Sequence, residues 1–371
     1  MSTFAHVRLW GTVIGAVELP DGEPTALFQY TPEFAQSGIQ VAPLTMPLGV
    51  RPYRFPELAR RSFAGLPGFL VDSLPDRYGH ALIDAWLARQ GRQPDSFNAV
   101  ERLCYVGSRG MGALEFQPAQ KFNRVGPESL DVAAMVALAS EVLSRRGELG
   151  GNLAGEKAET LSRILQVGTS AGGARAKATI AWNPTTNEVR SGQIESGSGF
   201  EHWLLKLDGV AENRDKESAD RCGFGTVEYA YSLMARAAGI TMAECRLLDE
   251  GPRRHFMTRR FDRLANGQKL HMLSLAGMAH FDYNLAGAYA YEQIGLTIRT
   301  LGLPMSALEE LFRRMVFNVL ARNQDDHVKN TAFLMDKAGK WSLAPAYDLT
   351  YANNPAGAWT SQHQVSINGK R

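Results

Sequence analysis

Three polar residues near the C-terminus have types and a spacing that suit phosphoryl transfer. Asp325 and Asn330 stand as D-x-x-x-x-N within RNQDDHVKN, and Asp348 follows in APAYDLTY. A carboxylate can accept the proton of an attacking hydroxyl. A carbonyl oxygen a short loop away can coordinate magnesium on a nucleotide's phosphates, and a second carboxylate can bridge that metal. Asp325 is therefore the candidate base, and Asn330 and Asp348 are candidate metal ligands. A local reading competes with this one, because Asp and Asn at a helix end commonly cap or turn the backbone.

Further groups bear on the phosphates. Lys206 ends the β-rich run HWLLKL, and Glu228 follows on a helix-like stretch. A strand lysine held by a helix glutamate is how a kinase fixes a cation on the α- and β-phosphates; a lysine snorkelling from a strand end is the alternative. The segment Gly168 to Lys177 contains Ser170, Ala171, Gly172 and Gly173, small residues that let backbone N–H groups approach a phosphate closely. It is neither a Walker A motif nor G-x-G-x-x-G, and such a run can equally be a plain connection. His327 has no His or Cys at metal-ligand spacing, which favours a role beside the loop over metal binding.

These residues need elements to hold them. In LEELFRRMVFNVLAR, the apolar residues Leu308, Leu311, Phe312, Met315, Val316, Val319 and Leu320 follow a 3.6-residue period, predicting a helix with one buried face just before Asp325. The stretch AFLMDKAGKWSLAPAYDLTY reads as a hairpin turned at 337–340, bringing Asn330 and Asp348 side by side. Strands are expected at 176–182 and 202–207, a helix over VEYAYSLMARAAGI ended by Gly239, and a hairpin turned at Gly251–Pro252. Upstream, short strands flank Gly11, TALFQY and GALEF are strand-like, a helix runs from about Gly79 to Gly91, and 129–166 looks helical with a glycine-rich break.

The 371 residues are 44% hydrophobic and 21% charged, enough to build a sizeable core. With 40 basic and 38 acidic residues, the charge balance signals no bulk attraction to nucleic acid or membrane. Cys104, Cys222 and Cys245 lack metal-ligand spacing and fit free thiols in a reducing compartment. The N-terminus has no signal-peptide pattern and no apolar run spans a bilayer, so a cytoplasmic location without membrane contact is expected.

Taken in order, DSLPDRYG (72–79), GMGALEF (110–116), GTSAGGARAK (168–177), LLKL (204–207), RRFDR (259–263), NQDDHVKN (323–330) and LAPAYDL (343–349) resemble the HipA family of toxin kinases from type II toxin–antitoxin modules. The resemblance implies an α/β (α+β) two-lobe protein-kinase-like core: a β-rich N-terminal subdomain over 1–125, an ATP-binding lobe with the Gly/Ser loop over 126–258, and a mainly helical catalytic lobe over 259–371. It implies a serine/threonine protein kinase using ATP and Mg2+, with Asp325 as base, Asn330 and Asp348 on the metal and Lys206 on the phosphates. Arg259 to Phe261 would form the adenine hinge, and His327 and Lys329 would lie against the nucleotide. Ser170 would be an autophosphorylation site that switches the kinase off. Implied partners are a HipB-like helix-turn-helix antitoxin, operator DNA only through that antitoxin, and an aminoacyl-tRNA synthetase as substrate, whose modification stalls translation and induces persistence.

The chain departs from the pattern in places. Arg259 stands where the family has an acidic residue, the loop reads GGARAK, and the chain ends at HQVSINGKR where relatives continue with further helices. The last point implies a shortened catalytic lobe. Two other readings stay open: an inactive or truncated kinase fold that binds antitoxin and operator, and a small-molecule phosphotransferase.

Overall fold

In a computed structural model, residues 2–119, 130–144, 175–192, 197–210, 222–264 and 267–371 are described. The chain opens with β1 (Thr3–Leu9), β2 (Thr12–Leu19) and β3 (Leu27–Tyr30). The β1–β2 turn places Trp10 and Gly11 at positive φ, 49° and 86°, the conformation a two-residue hairpin needs. Then come α1 (Pro32–Ala35), α2 (Arg60–Phe63), α3 (Gly68–Val71), α4 (Arg77–Arg89), α5 (Ala99–Val106), β4 (Leu114–Gln117) and α6 (Val132–Ser144). β1 to β4 form one antiparallel sheet in the order β3-β2-β1-β4. α4 starts two residues before Gly79 because Asp76 caps it, its side chain accepting from the Gly79 N–H at 2.6 Å.

The second sheet holds β5 (Lys177–Trp182), β6 (Val189–Ser191), β7 (Glu201–Lys206), β8 (Cys245–Glu250) and β9 (Arg253–Arg259), in the order β6-β5-β7-β9-β8. Between β7 and β8 lies α7 (Phe224–Ala237), followed by Gly239 at φ 77°. Its Gly225 is obligatory in size: a Cβ there would stand 2.8 Å from the Arg254 carbonyl oxygen on β9. This close approach brings Glu228 onto the sheet.

The rest comprises β10 (His271–Ser274), α8 (Leu275–Ala279), β11 (Tyr289–Ala290), α9 (Tyr291–Thr300), α10 (Met305–Leu320), β12 (Ala332–Met335), β13 (Trp341–Leu343) and β14 (Val365–Ser366). β10, β12 and β13 form a three-stranded sheet, and β11 pairs β14 in parallel. The expected catalytic lobe is thus helical with a sheet of its own. One core cluster joins buried residues of the first sheet, such as Val7 and Phe28, to Leu273, Ile298 and Phe333. A second packs α4 and α6 on β5, β7 and β9. The two ends of the chain meet where α3 and α8 touch; a Cβ on Gly277 would come 2.9 Å from the Gly68 carbonyl oxygen and 2.8 Å from Asp72.

α10 departs from the simple amphipathic expectation. Leu311 and Phe317 are buried, but Phe312, Val319 and Leu320 are exposed. Glu310, Arg314 and Asn318 are buried in their place. Arg314 pairs with Glu310 at 2.9 Å and donates to the Ala344 carbonyl at 2.8 Å, so these charges are satisfied internally.

Candidate active site

α10 ends at Leu320, and Arg322 turns the chain at φ 53°. The loop then passes Asn323 to His327 and closes in a 3-10 turn at Val328–Asn330. That turn orients Asn330, whose side-chain N–H donates to the Asp325 carbonyl at 2.9 Å. The amide nitrogen is engaged, so the side-chain oxygen is the atom suited to a metal. The β12–β13 hairpin returns the chain to Asp348, which adopts a left-handed conformation at φ 56°, a region Asp tolerates better than most residues. Asp325, Asn330 and Asp348 line one cleft of about 1400 Å³. Small-molecule pockets span roughly 300–1,000 Å³, so there is room for a nucleotide and an incoming group.

The two adjacent aspartates have different surroundings. Asp325 is one-third exposed on the cleft and accepts from the Trp359 indole N–H at 2.6 Å. Asp326 is buried and accepts from the Tyr291 hydroxyl at 2.8 Å and the Gln364 backbone N–H at 2.7 Å, with His363 Nδ1 at 3.1 Å. Asp326 is a structural anchor; Asp325 is the carboxylate that faces the cleft.

Lys206 meets two carboxylates, Glu228 at 2.6 Å and Asp348 at 2.5 Å. Burial disfavours its charge, but Asp348 and Glu228 hold its pKa above the ordinary lysine value. Burial alone would raise Asp348; the Lys206 ammonium holds it well below the usual carboxylate range. Burial pushes Glu228 up, with Lys206 opposing. The site therefore contains a charged lysine and an ionised Asp348 in contact.

Sequence reasoning missed a second buried pair. Lys177 on β5 lies opposite Lys206 on β7 and pairs with Asp76, the α4 cap, at 3.2 Å. Burial raises the Asp76 pKa, with Lys177 acting against it. Asp72 is likewise raised by burial; it accepts from the Ser274 backbone N–H at 2.6 Å and hydroxyl at 2.8 Å. The DSLPDRYG stretch thus ties the N-terminal region to both sheets around the cleft. In the sequence, Asp76 stands just ahead of the helical stretch that begins near Gly79, with no signal linking it to Lys177.

The remaining expected residues also line the cleft. Phe261 sits with its ring 5.8 Å from that of Tyr347 and packs in one cluster with Met272, an apolar surface on the cleft suited to a flat base. Arg259 ends β9 and bridges Glu201 at 3.3 Å and Glu244 at 3.5 Å, so its guanidinium staples the sheet edge. The segment after it is fixed by buried Arg260, which pairs with Asp262 at 2.7 Å. Lys329 lies over the Tyr283 ring at 4.2 Å, and His327 Nε2 is 3.9 Å from Asp325. Ser170, Ala171, Gly172 and Gly173 lie outside the described residues.

Among the described residues, no group of three or more His, Cys, Asp or Glu is placed to hold a metal alone. Magnesium bound with a nucleotide needs only one or two protein carboxylates, the phosphates and water completing its shell. The hard oxygen donors of Asp348 and Asn330 fit that mode. No helix among the described residues is long and apolar enough to cross a membrane.

Comparisons with known proteins bear on the fold and the family. At 17% identity and a TM-score of 0.64, the fold is similar to a chain in the Shewanella oneidensis MR-1 toxin–antitoxin complex of HipA, HipB and operator DNA, covering 99% of this chain and 80% of that one. A curated relative from Sinorhizobium fredii (strain NBRC 101917 / NGR234), named "Putative kinase Y4dM", is 29% identical over 40% of this chain; the match spans 36% of that relative's length. A HipA N-terminal domain matches residues 5–117 and a HipA-like C-terminal domain matches residues 169–371, and the chain belongs to the HipA family.

Proposed function

We propose that this chain is a toxin kinase that transfers the γ-phosphate of ATP to a serine or threonine hydroxyl of a protein. The observation that carries the reading is the convergence on one cleft of a charged Lys206, held by Glu228 and Asp348, and the Asp325–Asn330 loop. In this reading, Asp325 accepts the hydroxyl proton as the hydroxyl oxygen bonds to the γ-phosphorus. The bond from that phosphorus to the bridging oxygen breaks, and ADP leaves. Lys206 neutralises charge on the phosphates. Asn330 and Asp348 would hold magnesium, which would supply the remaining neutralisation. Phe261 and its apolar neighbours receive the adenine, with Lys329 and His327 on the phosphate side.

Family membership supports a HipB-like helix-turn-helix antitoxin as partner, with operator DNA reached through it, and an aminoacyl-tRNA synthetase as the protein substrate. Ser170 is the proposed autophosphorylation site. A phosphoserine there would place about two negative charges beside a nucleotide that is itself anionic, and so oppose binding. The test is intact-mass analysis of the purified chain after incubation with magnesium and ATP. One added phosphate, mapped to Ser170 and lost in Asp325→Ala, is expected. Phosphate on a small molecule and never on protein would overturn the reading.

A further inference from the structure

The loop that presents Asp325 is bound on three consecutive residues by one downstream strap. Gln324 donates its backbone N–H to the Ala352 carbonyl at 3.2 Å, and its side-chain oxygen accepts from Asn353. Asp326 accepts from Gln364 at 2.7 Å at the strap's other end. Between these anchors, Trp359 donates its indole N–H directly to the Asp325 carboxylate, 2.6 Å from Nε1 to Oδ1. The Trp359 carbonyl in turn accepts from the Gln364 side chain, which fixes the middle of the strap to its anchored end.

We infer that Trp359 is a positioning residue for the Asp325 carboxylate. The inference rests on the kinase reading given above. Asp325 follows a helix end and lies in a loop without regular strand or helix bonding of its own. A one-third-exposed carboxylate there has rotamers to choose from. A hydrogen bond to a charged acceptor is stronger than one between neutral groups, and here it selects the rotamer. Holding Oδ1 sets the direction in which the rest of the carboxylate faces the cleft, and hence the line along which a hydroxyl must approach. Trp359 and Thr360 line that same cleft, so the strap also walls the side from which the acceptor arrives. An indole suits this task because it donates and never accepts; it cannot compete for the acceptor's proton.

The experiment compares the full chain with Trp359→Phe, which keeps the aromatic ring and removes only the donor. Three quantities are read: the single-turnover rate of phosphate transfer, ATP affinity, and melting temperature. A fall of about 10- to 100-fold in rate is expected, as for a displaced catalytic group, with ATP affinity and melting temperature unchanged. A Trp359→Phe rate equal to that of the full chain would overturn the proposal while leaving the kinase reading intact. A fall in rate matched by falls in affinity and melting temperature would overturn it in favour of a packing role. If the unsubstituted chain binds ATP and transfers no phosphate, the kinase reading itself fails and this proposal falls with it. The bond is also visible without turnover: the Trp359 indole N–H proton resonance should move upfield in Asp325→Ala, and an unmoved resonance would contradict the contact.

Discussion

Lys177 and Lys206 stand directly opposite each other on β5 and β7, on the same face of the sheet, and each is matched to its own carboxylate. Two ammonium groups so placed would repel without those partners. Lys206 faces Glu228 and Asp348, and Lys177 faces Asp76, which caps α4 of the N-terminal region; all five line the one cleft. The pair of lysines therefore sets the Glu228 and Asp348 carboxylates beside the docking of an N-terminal helix.

Replacing Lys206 by Met removes the ammonium that pairs with both Glu228 and Asp348. Phosphate transfer should fall at least 100-fold, as expected when charge stabilisation of a developing transition state is lost. Stability should fall by about 3 kcal/mol, the scale for breaking a buried ion pair from one side. Transfer assays and denaturant unfolding check the two effects separately.

Asp76→Ala should destabilise the chain by a similar amount, about 3–5 kcal/mol, because it strands buried Lys177 and removes the α4 cap. Asp76→Asn should be milder, since Asn still caps. A double-mutant cycle with Lys177→Met would measure the coupling. Additive effects would show that the two residues do not interact.

The adjacent aspartates should behave oppositely. Asp325→Ala should abolish transfer and leave stability within about 1 kcal/mol, the usual range for a partly exposed site. Asp326→Ala should cost about 2–4 kcal/mol, because it leaves Tyr291 and the Gln364 backbone N–H without their acceptor. Thermal melts of both variants test this contrast.

Much of this arrangement was legible in the sequence, and the exceptions have physical causes. The helix before Asp325 and the hairpin before Asp348 follow from periodicity and turn residues, which are local signals; for Lys206, spacing left a Glu228 pair and a snorkelling lysine equally open, and the fold brings the pair to 2.6 Å. The exposed Phe312 and the buried Glu310, Arg314 and Asn318 do not, because an apolar count cannot see a polar network completed by Ala344 and Tyr291. Lys177–Asp76 joins positions far apart in the chain, and Trp359 lies in an aperiodic strap. Neither carries a local signature. The spacing to Asn330 singles out Asp325, but the burial of Asp326 has no signal in the sequence; it depends on the strap returning over the loop.

Acid should destabilise the chain partly through His271. This histidine is fully buried against Val41, and burial lowers its pKa to about 4. The folded chain therefore stays unprotonated there while the unfolded chain takes up a proton below about pH 6.5. Its share of stability is complete above that pH and is lost as pH falls towards 4, to a total of roughly 3 kcal/mol. His271→Gln should flatten the decline in melting temperature over this window; an identical decline would show that other groups carry it.

The role proposed for Asp325 is to accept the acceptor's proton in a cleft that binds ATP and magnesium independently of it. Its most direct test is the single-turnover rate of γ-phosphate transfer to protein in the unsubstituted chain and in Asp325→Ala, with ATP affinity measured on the same samples. A loss of at least about 100-fold in rate is expected, within the range for removing a general base, at unchanged ATP affinity. Equal rates in the two proteins would contradict it.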